Sequence, residues 1–257
     1  MHVDTAIVDH FLHHDPIETY CHSWLYSAIE PERYLFETPD SQGTADVAMM
    51  KDYVNQMVTD FHPNNERVWR AVFPCGPKQL ETVSIQLVVG CPAPYEAMVR
   101  TDASDHERII FDLIRMLRYG VDQAKSIITD MLTHETAHSL LHMDYPENQP
   151  VTYREKLIYM RFDEGLAHFL AARDDWQNVQ NQGRRLYADD AFLKAIREND
   201  PARQGHLLIR ACTGSYWEKF ACISGLFQWA DVYDKFGENG VTRAYRNGWR
   251  LFPLPGE

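Results

Sequence analysis

The sequence predicts an α+β fold that is predominantly helical, with a small antiparallel sheet in its N-terminal half. Residues 67–73 and 81–89 are rich in the β-branched and aromatic residues that are typical of strands. A Pro-Cys-Gly-Pro turn at residues 74–77 separates these two segments. After Gly120 the apolar residues recur at helical spacing instead. The sheet is therefore expected early in the chain, and the helices are expected to dominate the C-terminal half.

The first 120 residues also contain helical patterns. Residues 4–12 and 46–61 have helical periodicity, and the second of these helices is amphipathic. Pro16 and Pro63 lie just beyond the two segments, where proline commonly ends a helix. Residues 109–117 fit either a strand or a short helix, and the sequence leaves both open.

The strongest helical pattern follows Gly120. Asp122 is a suitable N-cap, since its carboxylate can accept a hydrogen bond from a free backbone N–H of the first turn. The apolar residues that continue the pattern towards His134 are Ile127, Ile128, Met131 and Leu132. We therefore expect a helix with a buried face up to and including His134.

A second helix is predicted from a capping box. Thr152 is followed three residues later by Glu155, so each side chain can bond a backbone N–H near the other residue. This helix is expected to extend to about residue 173. Further helices are predicted over residues 189–197 and over residues 214–236, where Gly237 ends the pattern.

The domain organisation follows from the order of these segments. No linker composition separates the sheet segments from the helices. We therefore interpret residues 1–257 as a single domain, with a sheet-bearing lobe at about 1–142 and a helical lobe at about 143–257.

The composition excludes several classes of partner. The net charge is -12, from 25 Lys and Arg against 37 Asp and Glu, and such a surface repels nucleic acids and anionic lipids. The chain contains five cysteines but no CxxC pair, which disfavours a disulfide framework and a cysteine zinc cluster. The first residues lack a basic stretch followed by an apolar run. These features predict a cytoplasmic protein that binds neither nucleic acid nor membrane.

One motif indicates metal chemistry. His134 and His138 are four residues apart, which on a helix places both imidazoles on one face, about 6 Å apart along the axis. Two such side chains can bind one metal ion. Glu135 follows His134 and can reach the same region as a general base that takes a proton from water activated by zinc. The pattern predicts a zinc-dependent hydrolase.

A chance occurrence of HExxH has a probability of roughly a few percent in a chain of this length with 12 histidines. The apolar face of the predicted helix argues against that alternative, because a buried metal-binding helix needs such a face. A catalytic zinc site usually has a third protein ligand. The candidates are His142, Asp144 and Glu164, whereas Leu141 stands where the metzincin pattern requires glycine.

Glu164 lies in the segment Glu164-Gly165-Leu166-Ala167, on the helix that follows the HExxH helix. Together the two motifs resemble the gluzincin peptidases, the thermolysin-like group and its aminopeptidase relatives. The resemblance implies a zincin-like catalytic domain in which His134, His138 and Glu164 bind Zn2+ and Glu135 is the general base. It also implies a tyrosine or histidine that stabilises the oxyanion, for which Tyr216 is the candidate, although some relatives have tyrosine where this chain has Cys222.

The expected function is therefore that of a zinc metallopeptidase with a peptide or protein substrate. His168, one turn after Glu164, is expected either to orient a ligand or to be a structural histidine. Two alternatives stay open: a zinc hydrolase of small amides or esters, and a non-catalytic zincin-fold binding module. The intact Glu135 argues against the second alternative.

Overall fold

The computed structural model describes residues 1–30, 32–40, 43–104, 106–172 and 179–256. These residues are mostly helical and include a small mixed sheet, which confirms an α+β fold that is predominantly α. The strands and α-helices in chain order are β1 (His2–Asp4), α1 (Ala6–Leu12), α2 (Leu25–Ala28), α3 (Thr44–Thr59), α4 (Glu66–Val72), α5 (Gly76–Gln79), β2 (Ser84–Val88), β3 (Ala97–Thr101), β4 (Glu107–Asp112), α6 (Leu113–Leu117), α7 (Val121–Asp144), α8 (Tyr153–Ala171), α9 (Val179–Ala195), α10 (Pro201–Cys212) and α11 (Phe220–Asn247).

The sheet has the strand order β1-β2-β4-β3. β2 pairs in parallel with both β1 and β4, and only β3 runs antiparallel to β4. The prediction of an antiparallel sheet was therefore wrong. The predicted strand at residues 81–89 contains β2, and all five residues of β2 are buried, including the polar Ser84 and Gln86. Both faces of this strand are therefore covered.

Residues 67–73 were predicted as a strand, but the structure has the helix α4 there. Val68, Trp69 and Val72 are buried at helical spacing. On the exposed side the guanidinium Nε of Arg70 donates to Glu66 Oε1 at 2.8 Å, an i, i+4 pair that supports a helix. The β-branched residues of this segment therefore pack against the core as part of a helix. Residues 109–117 contain both of the predicted alternatives, the end of β4 and then α6.

The other predicted helices exist, with shifted ends. α1 and α3 match their segments, and α8 begins at the predicted capping box of Thr152 and Glu155. Residue 173, the predicted end of that helix, lies outside the described residues. Asp122 lies in the first turn of α7 instead of at the N-cap. α9 covers residues 189–195 but begins earlier. α11 begins at Phe220 instead of residue 214, and it continues to Asn247 through a kink at Gly237.

The first of two compact units contains residues 1–62 and 77–139. Its core combines the sheet with apolar faces of α1 and α3. α1 packs against α3 and β2. The buried residues that form this core include Ile7, Phe11, Met50, Val54, Ile85, Leu87, Ile109 and Phe111.

The second unit contains residues 63–76 and 140–257. α8 packs against α10 and along α11 in this unit. Residues 63–76 belong here because side-chain amides of Asn64 and Asn65 donate to the last carbonyls of α8, at 2.9 Å from Ala171 O and 2.7 Å from Ala172 O. None of the helices that the structure describes has the length and apolarity needed to cross a bilayer.

Glycines allow α8 and α11 to approach closely. A Cβ atom added to Gly225 would lie 1.9 Å from the carbonyl oxygen of Arg161, and one added to Gly165 would lie 2.5 Å from Gly225 Cα. Both distances are shorter than any normal van der Waals contact, so neither position accepts a larger residue without movement of the backbone. The glycine after Glu164 thus has a packing role that is independent of catalysis.

Candidate metal centre

The two histidines of the HExxH motif lie together on α7. Their Nε2 atoms are 3.0 Å apart, and the ring centroids are separated by 4.6 Å at an interplanar angle of 77°. Two nitrogens that bind one tetrahedral zinc ion are separated by about 3.3 Å, given zinc–nitrogen bonds of about 2.05 Å. The spacing of His134 and His138 therefore fits two ligands of a single ion.

The environment of the pair is mostly buried. His138 and Glu135 are less than a tenth exposed, and the α7 residues Leu132, Ala137 and Leu140 are fully buried. A carboxylate held in such surroundings interacts more strongly with a nearby cation than it would in water. Of the four apolar residues that the sequence assigned to this face, Ile128 and Leu132 are buried, and Ile127 and Met131 are half-buried.

Glu164, the predicted third ligand, lies on α8 in the second unit, where its side chain is half-buried. Two imidazoles and one carboxylate form a ligand set found in catalytic zinc sites. The chemistry of the predicted ligands therefore fits zinc, and the role of Glu164 stays a prediction.

The other two candidates for the third ligand have partners within the second unit. Asp144, the last residue of α7, accepts a hydrogen bond of 2.7 Å from the Tyr245 hydroxyl. His142 lies one turn beyond His138 on α7, and its Nε2 atom contacts Asp163. Both residues stay alternatives to Glu164 that metal-binding experiments distinguish.

A buried contact between His142 and Asp163 lies next to Glu164 along α8. His142 Nε2 lies 3.3 Å from Asp163 Oδ2, and both side chains are less than a tenth exposed. Because Asp163 directly precedes Glu164, this contact links the end of α7 to the turn of α8 that carries the predicted ligand. A carboxylate that orients a nearby histidine is a common feature around metal ligands.

Cys222, on α11, contacts Glu164. Its Sγ lies 3.6 Å from Glu164 Oε2 and 3.5 Å from the carbonyl oxygen of Ala211. Burial, and then the negative charge of Glu164, raises the pKa of the Cys222 thiol well above its usual range. In the protein without metal this side chain is therefore a protonated thiol that donates a hydrogen bond.

Tyr216 lies beside the same turn of α8. It belongs to a short 3-10 helix, Tyr216–Glu218, that precedes α11, and its side chain is 45% exposed. Its ring stacks on His168, with centroids 5.3 Å apart and an interplanar angle of 27°. His168 is one turn beyond Glu164, so the predicted oxyanion donor stands next to the helix that carries the predicted ligand.

No protein-family model matches the chain, and no curated protein or solved structure is significantly similar to it. The resemblance to gluzincins therefore depends on the two short motifs, HExxH and Glu164-Gly165-Leu166-Ala167, and stays a prediction.

Sequence reasoning missed Cys222 as a candidate metal ligand. Within the second unit, Glu164, His168 and Cys222 form a group that could hold a metal ion. The spacing of Glu164 and His168 is i, i+4, the same as that of the histidine pair, and this signal was present in the sequence. The cysteine is 58 residues away from Glu164 and no local pattern connects them.

Proposed function

We propose that this protein is a zinc-dependent metallopeptidase. The observation that carries the proposal is the 3.0 Å distance between the Nε2 atoms of His134 and His138 on α7, with the buried Glu135 on the same turn as the first histidine. Glu164 is the third ligand that the resemblance to gluzincins implies. A metal-binding protein without hydrolytic activity would need the three ligands but not the adjacent buried carboxylate.

In this proposal each residue has one task. His134, His138 and Glu164 would hold the zinc ion, which when bound would lower the pKa of a water molecule and polarise the substrate carbonyl. Glu135 accepts the proton of the attacking water and then delivers it to the leaving amine. The hydroxyl of Tyr216 donates a hydrogen bond to the carbonyl oxygen as negative charge develops there.

The first test is the zinc content of protein purified without added metal. We expect at least about one tightly held zinc per chain in the wild type, and about one fewer in His134→Ala and His138→Ala. Glu164→Gln should also lose this zinc. His142→Ala is the matched control, because it lies one turn further along α7 and should keep it. Absence of zinc even after zinc is offered would contradict the proposal, and loss in His142→Ala with retention in Glu164→Gln would assign the third ligand differently.

The second test measures peptide cleavage with a pool of quenched fluorescent peptides. Glu135→Gln should keep its zinc and lose activity by about 10²- to 10⁴-fold, because the amide cannot accept the proton. Tyr216→Phe keeps the ring that stacks on His168 and should lose roughly 10²-fold. Turnover of small amides or esters without turnover of any peptide would favour the amidohydrolase alternative. Bound zinc without turnover of either would favour a binding module.

A further inference from the structure

The second unit contains a metal-ligand group that the proposed hydrolase does not explain. Glu164 and His168 lie one turn apart on α8, and Cys222 reaches them from α11. Their ligand atoms all lie within 4.8 Å of one another. The group combines a carboxylate, an imidazole and a thiol, which are the three kinds of protein ligand that zinc binds.

The distance between sulfur and oxygen fits coordination of one ion. Cys222 Sγ is 3.6 Å from Glu164 Oε2. For a tetrahedral ion with a zinc–sulfur bond of about 2.3 Å and a zinc–oxygen bond of about 2.1 Å, these two atoms are separated by about 3.6 Å. A hydrogen bond from the thiol to the carboxylate would have the same length. The nearby imidazole of His168 is what favours metal coordination over a simple hydrogen bond.

The helices hold these side chains in a fixed arrangement. Gly165 and Gly225 bring α8 and α11 into backbone contact directly beside Glu164 and Cys222. The ring of His168 is stacked on Tyr216, which limits its rotation. A metal site is selective when its ligands are positioned by packed helices rather than by loops.

We propose that Glu164, His168 and Cys222 form a second binding site for a divalent cation of the zinc type. On binding, the Cys222 thiol loses its proton to solvent and the sulfur binds the ion as a thiolate. Glu164 has two carboxylate oxygens and is shared with the proposed catalytic group. The second site depends only on contacts inside the second unit, so it does not require the hydrolase proposal to be correct.

Burial distinguishes this role from nucleophilic catalysis by the cysteine. Cys222 has no exposed surface and His168 is less than a tenth exposed. A dissolved substrate cannot reach the sulfur, whereas a metal ion needs only the ligand atoms and a brief opening. The thiolate also selects for zinc-like ions over magnesium or calcium, which prefer oxygen ligands.

The test is a cobalt(II) titration of the metal-depleted full-length chain, because cobalt replaces zinc and reports thiolate ligation by charge-transfer absorption in the near ultraviolet. The wild type should bind about two cobalt ions per chain and show this absorption. Cys222→Ser and His168→Ala should each lose one ion and the absorption. His134→Ala should lose the other ion and keep the absorption. Cys212→Ser is the matched control, since Cys212 is the nearby half-buried thiol at the end of α10.

The wild-type spectrum tests the site without any variant, so misfolding of a variant does not obscure the result. Absence of thiolate-to-cobalt absorption in the wild type would overturn the proposal. Absorption that disappears in His134→Ala as well as in Cys222→Ser would show a single ion, and would also overturn it. Failure of the hydrolase proposal would give a different result. His134→Ala would bind as much cobalt as the wild type, or Glu135→Gln would be fully active. In both cases the thiolate-to-cobalt absorption of the second site would remain.

Discussion

Each of the two compact units contains a buried polar cluster, and the two clusters are built from different partners. In the first unit Asp112 accepts hydrogen bonds from the backbone N–H groups of Cys91 at 2.7 Å and Arg115 at 2.9 Å. The guanidinium of Arg115 donates to Cys91 O at 2.6 Å and pairs with Glu37. In this cluster the backbone N–H groups and the guanidinium donate to the carboxylates and the carbonyl oxygen. These bonds connect the end of β4 to α6.

The second cluster brings together atoms of another kind. Ligand atoms of Glu164, His168 and Cys222 all lie within 4.8 Å of one another. Carboxylate, imidazole and thiol groups on one site are the ligands of transition metals. Burial alone therefore does not indicate function. A buried carboxylate that caps a helix has a structural role, whereas one that meets other metal ligands is a candidate for chemistry.

The largest effect is expected where the packing of the second cluster is broken. In Gly225→Ala the new methyl group would lie 1.9 Å from the Arg161 carbonyl oxygen, so α8 and α11 must separate. We expect a loss of about 3 kcal/mol or more in the free energy of unfolding, measured by urea denaturation. The cobalt thiolate absorption should weaken in the same variant, because the helices that carry Glu164 and Cys222 move apart.

Gly205→Ala is the control for this variant. Gly205 lies in α10, and a Cβ atom there meets no atom within 4 Å. Alanine should stabilise this exposed helical position by about 0.5–1 kcal/mol. Equal effects of the two substitutions would show that the close approach of α8 and α11 is not maintained in solution.

The cluster around Asp112 in the first unit should make the stability of the protein depend on pH and not on metal. Burial raises the pKa of the Asp112 carboxyl from 3.8 to about 6, although its two backbone hydrogen bonds and Arg115 act in the opposite direction. Between these pH values the unfolded chain ionises this group and the folded protein does not. The neutral Asp112 carboxyl therefore contributes fully to the free energy of unfolding below pH 3.8, and this contribution is lost as the pH rises through about 6.

In Asp112→Asn this pH dependence is absent. The free energy of unfolding of the wild type relative to Asp112→Asn should fall by up to about 3 kcal/mol between pH 4 and pH 7, because one pKa unit corresponds to about 1.4 kcal/mol. Urea denaturation at several pH values measures this difference. Asp102→Asn is the control: hydrogen bonds from Arg108 and from the backbone lower the pKa of Asp102 to about 2, so its contribution changes mainly below pH 4. A constant difference for Asp112→Asn would contradict the structural role.

Local signals explain why the histidine pair and α8 could be predicted. The i, i+4 spacing of His134 and His138 and the capping box at Thr152 each depend on neighbours in the sequence. The parallel pairing of β2 with β4 could not be predicted, because it depends on contacts between distant segments. For the same reason the sequence did not indicate that Cys222 contacts Glu164.

The smallest effect is expected at the exposed start of α8, the helix that carries Glu164. Thr152 Oγ1 accepts a hydrogen bond from Glu155 N at 3.2 Å, and the Glu155 carboxylate accepts one from Thr152 N at 2.9 Å. Thr152→Ala removes the first of these bonds and should reduce the free energy of unfolding by about 1 kcal/mol.

Zinc and cobalt binding should be unchanged in Thr152→Ala, since Glu164 lies three turns beyond the cap in the buried part of the helix. Thermal unfolding with and without added zinc measures both effects in one experiment. If Thr152→Ala lost its metal, the position of Glu164 would depend on the whole helix, and the separation of helix stability from ligand geometry in the second unit would be wrong. If only stability fell, the packing between α8 and α11 would be sufficient to hold the ligands in place.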